Sequence, residues 1–251
     1  MDSDPALLIR LLWRDQSTGA ARQGRKQKLD LDTVISAGMA LADSEGIAAV
    51  SMRSLATRLG VTPMSLYTYV PGKDELLELM LDAAYRDMPR PDFQPSEWRD
   101  RLRTIAYNNR ALFLAHPWVA HIATVRPSLG PGQTAKYEYE LSAFDGTGLD
   151  DVTIDDALTY LLTFVHGASR AAVTARQTAL ETALTDEQWG ERHASLLARV
   201  FDDQTYPRAA RIGAAAGQAR GTAYDPDHAF AFGLERVLDG IAALFNSMPG
   251  A

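Results

Sequence analysis

Residues 47–81, IAAVSMRSLATRLGVTPMSLYTYVPGKDELLELML, leave the chain few ways to fold, because helix caps and helix breakers alternate there at short intervals. Ser51 precedes an apolar-periodic run and can accept hydrogen bonds from the free backbone N–H groups of a helix over Met52–Leu59. Gly60 ends that helix. Thr62 is placed to cap a second one, with Pro63 at its first position, where a missing N–H costs nothing. Two helices this close in sequence predict a helix-turn-helix. Leu55, Leu59, Val61, Leu66 and Val70 are spaced to meet inside the corner, which leaves Met64, Ser65, Tyr67, Thr68 and Tyr69 outward on a very short second helix. Such a surface suits a DNA groove better than it suits water: methyl and thioether groups touch thymine methyls, and hydroxyls reach bases or phosphates. Pro71 and Gly72 break the chain before Lys73, which would stand beside the DNA backbone. Asp74 and Glu75 then open a long helix with Leu76, Leu77, Met80, Leu81 and Ala84 on its inner side.

The phrase LGVTPMSLYTYVPGKDELLELM closely resembles the recognition-helix signature of the TetR family of bacterial transcriptional repressors, and the resemblance extends over residues 29–85. It implies an all-α chain: an N-terminal three-helix helix-turn-helix DNA-binding domain and a larger helical ligand-binding and dimerisation domain. It also implies roles. Arg53 falls near a base edge, Thr62, Pro63, Met64, Ser65 and Thr68 face the groove, and Tyr67, Tyr69 and Lys73 lie on or near phosphates. Thr68 stands where members often carry an aromatic residue and Tyr69 where they often carry His, so base preference does not transfer.

The chain has 251 residues, 46% of them hydrophobic, enough for one large domain or two smaller ones. It has no cysteine, which excludes a disulfide framework and a cysteine-based zinc site. No segment reaches the ~18 uninterrupted apolar residues of a membrane span. ALLIRLLW, bounded by Asp2, Asp4 and Asp15, lacks the basic start and long apolar core of a leader, so the expected location is the cytoplasm. The net charge of −7 is unevenly spread. Basic residues outnumber acids between Arg22 and Lys73, where Arg22, Arg25, Lys26 and Lys28 form a glycine-containing arm. Such an arm fits phosphates or a minor groove, and it also fits a solvated linker. A helix over about Pro5–Arg14 precedes it as an appendage.

A first domain helix is predicted over Asp32–Ser44, with Val34, Ile35, Gly38, Met39, Leu41 and Ala42 on one face. MPRPDFQP, with three prolines, marks a domain boundary. The expected units are 1–28, 29–88 and 89–251. Beyond the boundary helices are predicted near 96–115, 117–125, 132–145, 152–180, 185–201, 207–219 and 226–247. Two of them carry long apolar stripes, Ile154 to Ala172 and Phe230 to Met248. Each also has a second stripe, with Leu162 and Val173 on one and Phe232, Leu238 and Phe245 on the other. TetR-like proteins dimerise through this helix pair, which makes Leu158, Leu161, Val165, Leu234, Val237, Ile241 and Leu244 the expected homodimer interface.

No nucleophile elbow, phosphate loop, HExxH or carboxylate cluster with metal spacing occurs, so neither catalysis, a cofactor nor a metal is assigned. The second domain does place polar and aromatic groups on apolar helices: Tyr107, Asn109, Phe113, His116, Trp118, His121, Tyr137, His166 and Arg170. Each also fits an ordinary core residue with a satisfied polar tip. Together, and because TetR-like proteins bind inducers in this domain, they are the expected effector site. The resulting expectation is a homodimeric repressor on a palindromic double-stranded operator, released by a small molecule. The alternative is an all-α small-molecule-binding protein or enzyme whose helix-turn-helix is only a structural corner.

Overall fold

A computed structural model describes residues 5–17, 29–122, 128–182, 184, 186–222 and 224–246; the basic arm, Arg22, Arg25, Lys26 and Lys28, lies outside them. Among the described residues the regular structure is helical throughout. The N-terminal part comprises α1 (Pro5–Leu12), α2 (Arg14–Ser17), α3 (Leu31–Glu45), α4 (Met52–Leu59), α5 (Pro63–Tyr67) and α6 (Lys73–Arg86). The second part comprises α7 (Trp98–Ala115), α8 (Val119–Ile122), α9 (Pro131–Leu141), α10 (Asp151–Thr182), α11 (Asp186–Leu197), α12 (Pro207–Arg220) and α13 (Pro226–Asn246). No helix of the described residues is long and apolar enough to cross a membrane.

Local chemistry sets the ends of α3. The Asp30 carboxylate accepts the Thr33 N–H at 2.8 Å, satisfying one of the free donors of the first turn. Gly46, at φ 83°, turns the chain out and donates back to the Ala42 carbonyl. Val34, Ile35, Gly38, Leu41 and Ala42 are buried against α6, with Met39 half-buried. Contact is close at Gly38, where a Cβ would lie 2.9 Å from the Met80 sulfur.

The long helix α6 differs from its expected one-sided burial. Besides Leu76, Met80, Leu81 and Ala84, its Leu79, Asp82, Ala83 and Tyr85 are also buried, because α3 and α1 cover one side and α9 the other. It is the element shared by both domains. Arg90 closes its C-terminal end, donating to the carbonyls of Tyr85, Arg86 and Met88 at 2.9–3.2 Å.

In the second domain α7, α10 and α13 pack together around Leu102, Ile105, Leu158, Leu161, Val165, Phe230, Leu234, Leu238 and Ile241. The residues expected at the dimer interface pack largely within this subunit: Leu158, Leu161, Val165, Leu234, Val237 and Ile241 are each at most 5% exposed in a single protomer. The stripes with spacings of four and three face this subunit's own core, since α13 seats directly on α10. Leu238, expected on the second stripe, is buried with them, while Leu244 is half-buried. The pair instead exposes Val152, Tyr160 and Phe232. On α11 and α12 no described side chain is buried, and Trp189, Leu196, Leu197 and Ile212 stand exposed there.

Candidate nucleic-acid interface

The corner forms as its caps dictate. Ser51 Oγ accepts the Ser54 N–H and Ser54 Oγ accepts the Ser51 N–H, both at 3.0 Å, a reciprocal box closed by serine instead of the usual glutamate. Gly60 takes the left-handed conformation at φ 68°, and Val61 N–H returns to the Ala56 carbonyl at 3.0 Å. Thr62 Oγ1 accepts the Ser65 N–H at 3.3 Å to open α5, with Pro63 as its first residue. Leu55, Leu66 and Val70 are fully buried beneath the corner, with Leu59 and Val61 half-buried at its rim.

This core turns one face of α5 to the outside. Thr62, Pro63 and Thr68 are exposed, as are Met64 at 75% and Tyr67 at 49%. A methionine that exposed gains nothing from folding and is free to meet a thymine methyl. Ser65 is half-buried, its hydroxyl 2.9 Å from that of Thr62, and the Thr68 hydroxyl donates to the Ser65 carbonyl at 2.6 Å. The Thr68 proton is held within the helix, so its oxygen faces outward as an acceptor, while of the Thr62–Ser65 pair one hydroxyl keeps a proton to donate. Arg53 and Lys73 are exposed on the first turns of α4 and α6, the helices before and after α5 in the chain.

Tyr69 departs from its expected phosphate role. It is half-buried, and its hydroxyl donates to the Leu29 carbonyl at 3.1 Å. With α5 only five residues long, the chain turns at Thr68 and carries the Tyr69 ring back towards the start of α3. It fastens the corner to the chain that leads in from the arm.

The nine expected effector residues make several distinct contacts. Phe113 and His166 meet, with ring centroids 5.3 Å apart, and His166 Nε2 lies 3.0 Å from the Ala120 carbonyl. His116 and Trp118 meet elsewhere, at Asp43 on α3: Trp118 Nε1 donates to its carboxylate at 2.6 Å and His116 Nδ1 lies 2.8 Å from the same oxygen. They tie the second domain to the reading head. Asn109 is buried and donates to Glu140 at 2.6 Å, while Glu140 also pairs with Lys136 at 2.7 Å. Tyr107 is exposed beside Phe230. Tyr137, also exposed, donates to Asp155 at 2.6 Å, which holds its phenol above the usual range. His121 and Arg170 are exposed.

The cavity nearest to Asn109, between Met88, Ile105, Lys136 and Tyr139, holds about 10 Å³, the space of a single water. Asp43, Asp82, Lys136 and Glu140 are the functional candidates that sequence reasoning missed. Three of these were legible: Asp82 is a second acid, after Glu78, in the otherwise apolar run LELMLDAAY, and Lys136 and Glu140 are one helical turn apart.

Residues 34–80 match the family model described as "Bacterial regulatory proteins, tetR family", and residues 90–245 match "Tetracyclin repressor-like, C-terminal domain". The HTH-type transcriptional repressor DrrR1 of Streptomyces coeruleorubidus is 36% identical over 248 residues, covering 98% of this chain and 89% of the relative. Among solved structures, apo ActR from Streptomyces coelicolor superposes with a TM-score of 0.72 at 26% identity, over 88% of this chain and 99% of ActR. ActR in complex with actinorhodin gives 0.71 at 28% identity, over 86% and 96% of the two chains. Between them the two family matches leave out residues 81–89, at the end of α6 and the start of the proline-rich boundary, and beyond them 1–33 and 246–251, so fold and relatives agree over most of the chain. The protein belongs to the TetR family of bacterial transcriptional regulators.

Proposed function

We propose that the protein is a repressor that binds a palindromic operator as a homodimer in the cytoplasm and is released when a small molecule enters its second domain. The single observation that carries operator binding is the exposed face Thr62–Met64–Tyr67–Thr68 between Arg53 and Lys73. On this basis 1–28 is an N-terminal helix and basic arm, 29–88 the reading head and 89–251 the effector and dimer domain. Two heads must meet successive major grooves, ~34–36 Å apart, which calls for a dimer. The surface supporting one is the outer side of α10 and α13. There Val152, Tyr160 and Phe232 are exposed, and a cleft of about 350 Å³ runs between Ala157, Tyr160, Gly240 and Leu244.

The effector is expected beside Phe113 and His166. One turn from His166, Ser169 is fully buried and its hydroxyl has no hydrogen-bond partner. A buried hydroxyl in that state is costly, and a ligand acceptor or donor would satisfy it. ActR has been solved with actinorhodin, which shows a related fold holding a small molecule. Release follows only if the ligand favours a head spacing that the operator cannot match.

Recovery of bound fragments from a genomic DNA pool, starting with the gene's own upstream region, tests the proposal. The expected result is a palindrome bound with strong salt dependence. Ligand binding or turnover with no salt-sensitive DNA affinity would favour the structural-corner alternative.

A further inference from the structure

The start of α9 lacks a cap of its own. Its N-cap residue is Gly130, without a side chain, and Pro131 follows, so the N–H groups of Gly132 and Gln133 have no acceptor within the helix. The acceptor comes from another domain. Asp82, in the middle of α6 and only 4% exposed, takes the Gln133 N–H on its carboxylate at 3.0 Å. A buried carboxylate at a helix N-terminus is favourably placed, facing both a free donor and the positive end of the helix dipole.

The contact is too close to slide. A Cβ on Gly130 would stand 2.1 Å from Asp82 Oδ1, and one on Gly132 would stand 2.1 Å from the Asp82 carbonyl oxygen and 3.0 Å from the Arg86 nitrogen. The second of these is backbone against backbone, with no flexible side chain to move aside. About a turn further along, Lys136 of α9 lies over the Tyr85 ring of α6, 5.4 Å from its centroid. From the N-terminal side Trp13 Nε1 donates to the Leu129 carbonyl at 2.7 Å, just ahead of the joint.

We propose that Asp82 is a positioning residue for operator binding: by capping α9 across the domain boundary it fixes the angle at which α6 presents Lys73 and α5 to DNA. This rests on the operator-binding function proposed above. A purely apolar joint would permit many angles at similar energy, whereas a directed N–H to carboxylate bond inside a glycine-lined contact permits one.

The test uses the full-length dimer and three variants, Asp82→Asn, Asp82→Ala and Gly132→Ala, each checked for unfolding, amide exchange and affinity for the recovered operator. Asp82→Ala should speed exchange at Gln133 and weaken operator binding about tenfold, while exchange in α4, α5 and the α10 core stays as in the parent. Asp82→Asn keeps an acceptor oxygen and should restore most of both. Gly132→Ala keeps the carboxylate but forces the helices apart, so it too should weaken binding. Parent affinity in a folded Asp82→Ala or Gly132→Ala would overturn the positioning role alone. An Asn variant as weak as the Ala variant would overturn the cap as its cause. If Asp82→Ala does not fold, Gly132→Ala and Asp82→Asn decide by these same criteria. A parent protein that binds no DNA would remove the repressor function itself, a distinct failure.

Discussion

The reading head and the second domain are both helical, yet the bonds that set the helix ends of the head and those that tie the second domain's bundle together span very different distances along the chain. In the head, Asp30 meets Thr33, Ser51 meets Ser54 and Thr62 meets Ser65, all three residues apart. In the second domain His166 meets Ala120, Asn109 meets Glu140, and Arg99 reaches Glu235 136 residues away. Short-range partners fix direction as soon as a helix forms. Long-range partners fix it only when the bundle closes, so a helical stripe says that a face is buried without saying against what.

The largest expected effects break this comparison at the stripe on α13. Leu234, 1% exposed, is core, and Leu234→Glu should unfold the second domain, at a cost on the order of 4 kcal/mol or more. Phe232, two residues earlier and 58% exposed, should behave oppositely. Phe232→Glu should leave melting nearly unchanged and shift the protein to monomers in sedimentation, with loss of palindrome binding. If Leu234→Glu gave a folded monomer, the inward assignment of this stripe would be wrong.

The legibility of the chain follows the same division. Helix positions were readable nearly everywhere, because Pro117, Pro131, Pro207 and Pro226 and the glycines between helices are local signals. The α5 face was readable because Leu55, Leu66 and Val70 left it only one way out. Tyr69 was not, since its partner, the Leu29 carbonyl, lies 40 residues back. The partners of the effector set are illegible for a related reason. His116 and Trp118 carry the residue types of a pocket, but Asp43 claims both, and no spacing within the second domain points to an acid on α3. The two stripes are legible and their partner is not, because the period of a helix is the same whether its face meets the same subunit or a copy.

Within the head, smaller substitutions separate base reading from phosphate contact. Arg53→Ala should cost about 1–3 kcal/mol on the preferred operator and relax one base position. Replacing Arg25, Lys26 and Lys28 together by Gln should weaken all sequences and lower the salt slope by up to about three units, and Lys73→Ala by about one. Substitution is the cleaner test of the arm than deletion of 1–28. Deletion would also remove α1, whose Leu12 is buried in the core, and Trp13, which binds the Leu129 carbonyl. Equal losses on operator and random DNA for Arg53→Ala would return Arg53 to the phosphate contacts, and operator titrations at two salt concentrations would show it.

The smallest expected effect sets one local carboxylate against one long-range carboxylate. Thr33, through its hydroxyl and its N–H, holds the Asp30 carboxyl below its ordinary range. Arg99 and then Arg103, from a different helix, do the same for Glu235. In both cases the folded value is depressed, so the stabilisation is present above the unfolded carboxylate value of about 4 and is lost as pH falls through the lower folded value. Asp30 is exposed and the Glu235 side chain keeps 36% of its surface in solvent, so each contribution is small and screened. Their causes predict different salt responses. Both carboxylates accept short hydrogen bonds, but the donors to Glu235 are charged guanidinium groups whose attraction should weaken at about 0.5 M salt, whereas the donors to Asp30 are neutral and salt should change its cap less. Measured against the parent, Glu235→Gln should therefore lose stability at pH 6 and low salt, and lose less at pH 3 or at high salt. Asp30→Ala should lose stability at pH 6 regardless of salt. A salt response of the same size in both variants would mean that the difference between local and long-range partners, clear in geometry, is not one of energy.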